Sequence, residues 1–342
     1  MRRVTRTLAR PRGLLGGVIV LAWLAGLAAP GAPDTPSIGL LRLTVTPPTG
    51  GAPIPTLVWY PASATPVETA LGPYVVAVAP NAAPNPGRWP LVVISHGTGG
   101  AGTNHYDIAR ALVERGFIVA TPTHPGDNFR DTSAFGTTRQ LYDRPRHVTL
   151  VIDALLVHPV LGAHVDPDRI AAIGHSAGGY TALVLAGGVP DLERVSRYYR
   201  EHPDDPVLRL GSITRDPTSA APPGELRDSR VKAIVLMAPV LGVAFAPDGL
   251  ARVTVPVKLY VAERDELVVP AANAERIRAL LPRPPELEVV PGAGHYVFIA
   301  PCPDGLRREV PIICTDAPGV DRAKLHARFG VEIADFLRRA LR

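Results

Sequence analysis

The sequence predicts an α/β protein, with a mostly parallel central sheet covered by helices on both faces. Three observations lead there. From Leu91 onward, short continuous apolar runs alternate with segments of helical spacing, the pattern of strands buried on both faces and of helices packed over them. Several of these runs end in loops rich in glycine or carboxylates, among them Ser95-His96-Gly97-Thr98-Gly99-Gly100. One such loop, Gly174-His175-Ser176-Ala177-Gly178, sets a serine between two glycines, behind the apolar Ile170-Ala171-Ala172-Ile173 and ahead of the helix-compatible Tyr180 to Ala186. Strand, sharp turn and helix in that order lift the middle residue above the sheet, and only small neighbours fit such a turn.

The elements follow from periodicity. Leu40 to Thr46 and Thr56 to Tyr60 read as strands joined by the turn Gly50-Gly51-Ala52-Pro53, an antiparallel edge, and Tyr74 to Ala79 adds a short strand before a Pro- and Asn-rich loop. Strands are then expected at Leu91 to Ser95, Phe117 to Thr121, Ile170 to Ile173, Val231 to Met237, Val257 to Val261 and Leu287 to Val290. Helices are expected at Tyr106 to Arg115, Leu141 to Val157, Ala272 to Leu281 and Lys324 to Leu341. Residues 188–230 break the rhythm. Polar and rich in Asp, Arg and Pro, they form a cap-like insertion after the helix that follows Ser176, above the carboxyl ends of the strands where ligands bind. Two readings of it stay open, a lid over Ser176 and a surface loop remote from substrate.

The first residues read as a leader. Arg2, Arg3, Arg6, Arg10 and Arg12 precede an apolar run from Leu14 to Ala29, with small residues Gly26 and Ala28 placed for cleavage after Ala28. The run is shorter than the ~20 residues that span a bilayer and suits a secretory signal peptide over residues 1–29, with an uncleaved anchor as the alternative. Those arginines also account for the formal charge of +5. The remaining chain is close to neutral, so its basicity gives no reason to expect a nucleic-acid partner. In an exported chain the two cysteines, Cys302 and Cys314, predict one disulfide; in a cytosolic one they would be free buried thiols.

A serine hydroxyl becomes nucleophilic when a base takes its proton, and the base needs a carboxylate to hold its tautomer. Beyond the strand Val257 to Val261 comes Glu263-Arg264-Asp265-Glu266, and Asp265 is favoured as that carboxylate because Leu267-Val268-Val269-Pro270 would seat its loop. After the last strand comes Pro291-Gly292-Ala293-Gly294-His295, whose glycines let the loop curl the imidazole of His295 back toward Ser176. His175 beside the serine is assigned to packing. An oxyanion needs donors, and the backbone amides of Ala177 and Thr98 are placed to supply them. Tyr180, Trp89 and Phe298 read as core rather than as pocket lining.

Together with His124-Pro125-Gly126-Asp127, Tyr142-Asp143-Arg144-Pro145 and the tail Pro318 to Arg322 with His326, these stretches resemble the α/β-hydrolase superfamily across residues 38–342. More narrowly they resemble a bacterial secreted group related to dienelactone hydrolase and platelet-activating-factor acetylhydrolase. The resemblance implies an α/β-hydrolase domain with Ser176, Asp265 and His295 as triad and Thr98 and Ala177 as oxyanion donors. It departs in two places. Dienelactone hydrolases carry cysteine where this chain has Ser176, and the acetylhydrolases carry their acid where this chain has Met237-Ala238-Pro239-Val240. The expected activity is carboxylic ester hydrolysis on a small or lipid-like ester, with no metal or other cofactor and no stable membrane span after signal cleavage. An amide or peptide hydrolase, or a non-catalytic binding protein on the same fold, are the alternatives.

Overall fold

In the computed structural model, residues 36–210 and 224–342 are described; residues 1–29, expected to be the signal peptide, lie outside that range, as does 211–223 of the insertion. The chain opens with β1 (Pro36–Val45), β2 (Ile54–Ser63), β3 (Val67–Leu71), β4 (Tyr74–Pro80) and β5 (Trp89–Ser95), followed by α1 (Tyr106–Val113), β6 (Ile118–Pro122), α2 (Thr138–Leu156) and β7 (Val165–His175). It continues through α3 (Ala177–Leu185), α4 (Leu192–Glu201), β8 (Val231–Met237), β9 (Val257–Ala262), α5 (Ala274–Leu280) and β10 (Glu286–Val290). Short helices α6 (Asp304–Glu309) and α7 (Pro311–Cys314) precede the closing α8 (Arg322–Ala340).

The ten strands make one sheet in the order β10-β9-β8-β7-β5-β6-β2-β1-β4-β3. From β6 to β10 every pairing is parallel, whereas β1 with β2, β2 with β6 and β3 with β4 are antiparallel. The predicted antiparallel edge is therefore present. Strand β3, which nothing in the sequence announced, extends it; only one of its five side chains is fully buried, so it has no apolar run to read.

Alternate residues of the central strands feed two separate cores. Leu91, Val93, Ile170 and Ala172 pack with α2, α3 and α5, while Val92, Ile94, Ala171 and Ile173 pack with α1 and α8. Period-two side-chain direction thus turns a continuous apolar run into two buried faces. Helix α3 is buried along its whole length, which explains its lack of any polar face. In α8 the buried Phe329, Ile333 and Leu337 recur at helical spacing, and each contributes about 1.5–3 kcal/mol by its burial.

The insertion begins as packed structure. Asp191 caps α4 by accepting from the amides of Glu193 and Arg194, and its own amide donates to the Ala244 carbonyl at 2.7 Å. Val195 and Tyr199 are buried against the core. At the far end Cys302 and Cys314 form a disulfide, with Cα atoms 5.6 Å apart, tying together the segment that holds α6 and α7. Among the described residues no helix is long and apolar enough to cross a membrane.

Candidate active site

Ser176 stands between the end of β7 and the first turn of α3, with φ 54° and ψ −117°. A non-glycine residue there stores about 1–3 kcal/mol of strain, so its surroundings must hold it. The Ser176 amide donates to the Met237 carbonyl at 2.9 Å, and its carbonyl accepts from Gly179 at 2.9 Å and Val240 at 3.3 Å. The flanking glycines are required by space: a Cβ on Gly174 would overlap the Gly178 carbonyl, and one on Gly178 the Ser95 carbonyl.

The acid and the histidine come from the carboxyl ends of β9 and β10. Asp265 Oδ2 lies 2.9 Å from His295 Nδ1, while its Oδ1 accepts from the amides of Leu267 at 3.0 Å and Val268 at 2.8 Å. The segment expected to seat the Asp265 loop therefore does so through two backbone amides. The neighbouring carboxylates are occupied elsewhere on the same loop: Glu263 accepts from the Gly292 amide at 2.7 Å, and Glu266 from the His295 amide at 3.1 Å. Tautomer and ring orientation at His295 are thereby fixed from behind.

His175 does more than pack. Its Nε2 donates to the His295 carbonyl at 3.2 Å, and the two rings lie 4.9 Å apart. Two further imidazoles hold the same turn, His105 Nδ1 donating to the Phe298 carbonyl at 3.0 Å and His326 Nε2 to the Val297 carbonyl at 2.7 Å. Burial keeps His105 and His175 neutral, pulling His105 down to about 4 and His175 well below the usual imidazole value. Asp107, whose Oδ2 is 2.6 Å from His326 Nδ1, is pushed up by burial, yet the charge and hydrogen bond of His326 outweigh this and leave its pKa lowered.

On the other side of Ser176 runs the loop after β5. A Cβ on Gly97 would come within 3.3 Å of Ser176 Cβ, so the loop passes directly over the serine. The amides of Thr98 and Ala177 donate to no protein acceptor among the described residues, and Ala177 opens α3, where the helix N-terminus favours negative charge. Behind the loop is a buried polar cluster. Asp127 accepts from the Gly99 amide at 3.0 Å and from Gln140 Nε2 at 2.6 Å, and it pairs with Arg144 at 3.3 Å. Gln140 reaches the Thr98 hydroxyl at 3.2 Å, and Arg144 donates to the His96 carbonyl at 2.9 Å.

The site thus places Ser176, Asp265, His295, Thr98 and Ala177 along the carboxyl edge of the sheet. It forms the Asp265–His295 bond but no hydrogen bond from Ser176 to His295 among the described residues, a contact that in free enzymes often tightens only with substrate. Tyr180 and Phe298 are fully buried core, and Trp89 opens β5 at the opposite end of the sheet. Among the described residues no group of three or more His, Cys, Asp or Glu is placed to hold a metal ion. Sequence reading missed the roles of Asp127, Gln140, Arg144, His105 and His326. Two of them had left a signal: Arg144 and His326 occupy the apolar faces of α2 and α8, where a polar residue means a buried partner.

A family model described as the alpha/beta hydrolase family matches residues 91–309. The chain belongs to that family, and membership supports a hydrolase. Among solved structures it is similar to a ferulic acid esterase from Streptomyces cinnamoneus, with a TM-score of 0.61 and 21% identity over 92% of each chain. It is also similar to a dienelactone hydrolase from Anabaena variabilis ATCC 29413, with a TM-score of 0.51 and 17% identity, over 90% of this chain and 99% of that one. At these identities the likeness is one of fold. No curated protein matches the sequence.

Proposed function

We propose that the protein is a serine hydrolase that cleaves carboxylic esters through an acyl-serine intermediate. Ser176 attacks the ester carbonyl while His295 takes its proton; the tetrahedral oxyanion is held by the amides of Thr98 and Ala177. His295 then protonates the leaving alcohol, and a water activated by the same imidazole releases the acid. Asp265 orients His295 and stabilises its cation. The observation that carries this reading is the strained Ser176 set between two uncommitted amides, next in sequence to His175, whose ring lies 4.9 Å from that of the Asp265-paired His295. Export through the basic and apolar leader is part of the proposal, in keeping with the disulfide.

The test is hydrolysis of short p-nitrophenyl esters together with labelling by a fluorophosphonate probe. Wild-type protein should do both and Ser176→Ala neither, a loss of about 10⁴-fold or more in kcat for a residue of this role. Labelling without turnover of any ester would point to the binding-protein alternative. Turnover of p-nitroanilides or peptides in preference to esters would favour the amide hydrolase.

A further inference from the structure

A cavity of about 510 Å³ lies between α4, the segment after β8 and the segment after β9. Its floor is tied to both sides of the candidate site. Val240, three residues before the wall residue Val243, donates its amide to the Ser176 carbonyl, and Val268, beside the wall residue Val269, donates to Asp265. The two floor segments are stitched by Asn273, which accepts from the Gly242 amide at 3.1 Å and donates to the Val269 carbonyl at 2.9 Å.

Two half-buried guanidinium groups share this cavity without a counterion. Arg194 Nε donates to the Val243 carbonyl at 3.3 Å; Arg276 donates to the carbonyls of Gly242 at 3.1 Å and Phe245 at 2.6 Å. Neither forms an ion pair with a carboxylate among the described residues. Arg230 shows the contrast, closed off by Asp153 and Asp228 at 2.7 Å each. Burial, and then the charge of Arg194, lower the pKa of Arg276. Two like charges held together at the edge of the core favour an anion between them.

The cavity also has carboxylates. Asp205 is buried and already committed to the Tyr198 hydroxyl at 2.9 Å and the Val207 amide at 3.0 Å. Glu201 and Asp204 are exposed, and Glu201 stands seven residues along α4 from Arg194, about 10 Å by the helical rise. The arginine end, with Val243, Val269 and Ala272 beside it, therefore offers positive charge and a partly apolar wall.

We propose that the Arg194–Arg276 cavity binds the carboxylate of the substrate, which makes the preferred substrates esters whose acyl or alcohol part ends in a free carboxylate. This rests on the reading of Ser176 as the nucleophile. Guanidinium groups suit the role because each keeps N–H donors beyond those spent on the backbone carbonyls, and their charge strengthens a hydrogen bond to a carboxylate; the aliphatic chain of a dicarboxylic half-ester would lie along the valines.

Two measurements test it. Calorimetry with adipate on the Ser176→Ala protein reads the cavity without turnover; binding should be present and be lost in the added Arg194→Gln or Arg276→Gln, with Arg276→Lys keeping part of it. In the wild type, kcat/KM for monomethyl adipate should exceed that for dimethyl adipate. Each glutamine variant should cut that ratio about tenfold, through KM, as expected for loss of a charge-assisted hydrogen bond. Thermal melts check that the variants fold. Adipate binding that survives both substitutions, a ratio at or below one, or inorganic phosphate bound as tightly as adipate would each overturn the proposal. Hydrolysis of p-nitrophenyl acetate without adipate binding removes the inference and leaves the ester reading standing. Adipate binding without turnover of any ester leaves an anion site and removes the substrate assignment.

Discussion

The two loops that flank Ser176 are held by opposite means. The loop after β5 rests on charge: Asp127 and Arg144 are buried together, and Gln140 and the Gly99 amide complete the carboxylate's hydrogen bonds. The turn at His295–Phe298 rests on backbone carbonyls, three of which accept from His175, His105 and His326. A buried ion pair is costly to assemble and costlier to break, because removing one partner strands the other in low dielectric; a lost hydrogen bond to a carbonyl costs only that group's desolvation. The loop after β5 is therefore rigid but intolerant of single changes. The histidine side should yield by degrees.

The sharpest way to break this contrast is Arg144→Met. It leaves Asp127 buried and unpaired, and urea unfolding should report a loss of about 3–5 kcal/mol. Replacing Asp127 by Leu in the same protein should restore part of the stability but not the activity, since the Gly99 amide and Gln140 would still lack their acceptor. A cost for Arg144→Met of no more than ~1 kcal/mol, the worth of one ordinary hydrogen bond, would show that the loop is not held by charge.

Acid should strain both sides at once. Burial lowers His105 and His147 to about 4 and places His96, His124 and His175 well below the usual 6.5. Between those values the unfolded chain binds protons that the folded chain refuses, so stability rises with pH there and falls as pH drops below about 6.5. His105 and His147 each account for roughly 3 kcal/mol by pH 4. Asp107 adds a loss of the same sign in a lower window, because its depressed pKa stabilises the fold only above the carboxylate range. Melting temperature measured from pH 7.5 to pH 4.5 should fall steadily; a flat profile would mean that these imidazoles are not buried neutral.

How much of this the sequence disclosed depends on what each feature demands of its residues. Buried parallel strands need continuous apolar runs, so β5 to β9 were legible, whereas β3, α6 and α7 lie at the surface and leave no periodic trace. The Ser176 turn tolerates only glycine at 174 and 178, which is why a five-residue pattern located it. Asp265 and His295 followed from their places after successive strands. The imidazole bonds of His105 and His175 end on backbone carbonyls, and every residue carries a carbonyl, so no sequence pattern marks the partner. Gln140 was hidden for a related reason: both acceptors of its Nε2, Asp127 and the Thr98 hydroxyl, lie on loops more than ten residues before it.

The smallest effect is the one that separates the loops most cleanly. His175→Phe fills the same space, keeps the contact with Phe298 and leaves the His295 carbonyl without its donor; it should cost about 1–3 kcal/mol. With His295 as the proposed base, the bond it removes aims that base, so the pH profile of kcat should shift while KM holds. Gln140→Leu removes a donor from the Thr98 hydroxyl and from Asp127, and the acceptor of the Gly136 amide, but leaves the Arg144 pair intact, so stability should fall by about 1–3 kcal/mol. Its kinetic signature should differ in kind. In the proposed oxyanion role, a loosened Thr98 amide weakens only that contact, so kcat should drop several-fold with the pH profile unmoved. If the two variants gave the same pH profile, the loops would not divide the work between base and oxyanion, and the contrast in how they are held would carry no catalytic meaning.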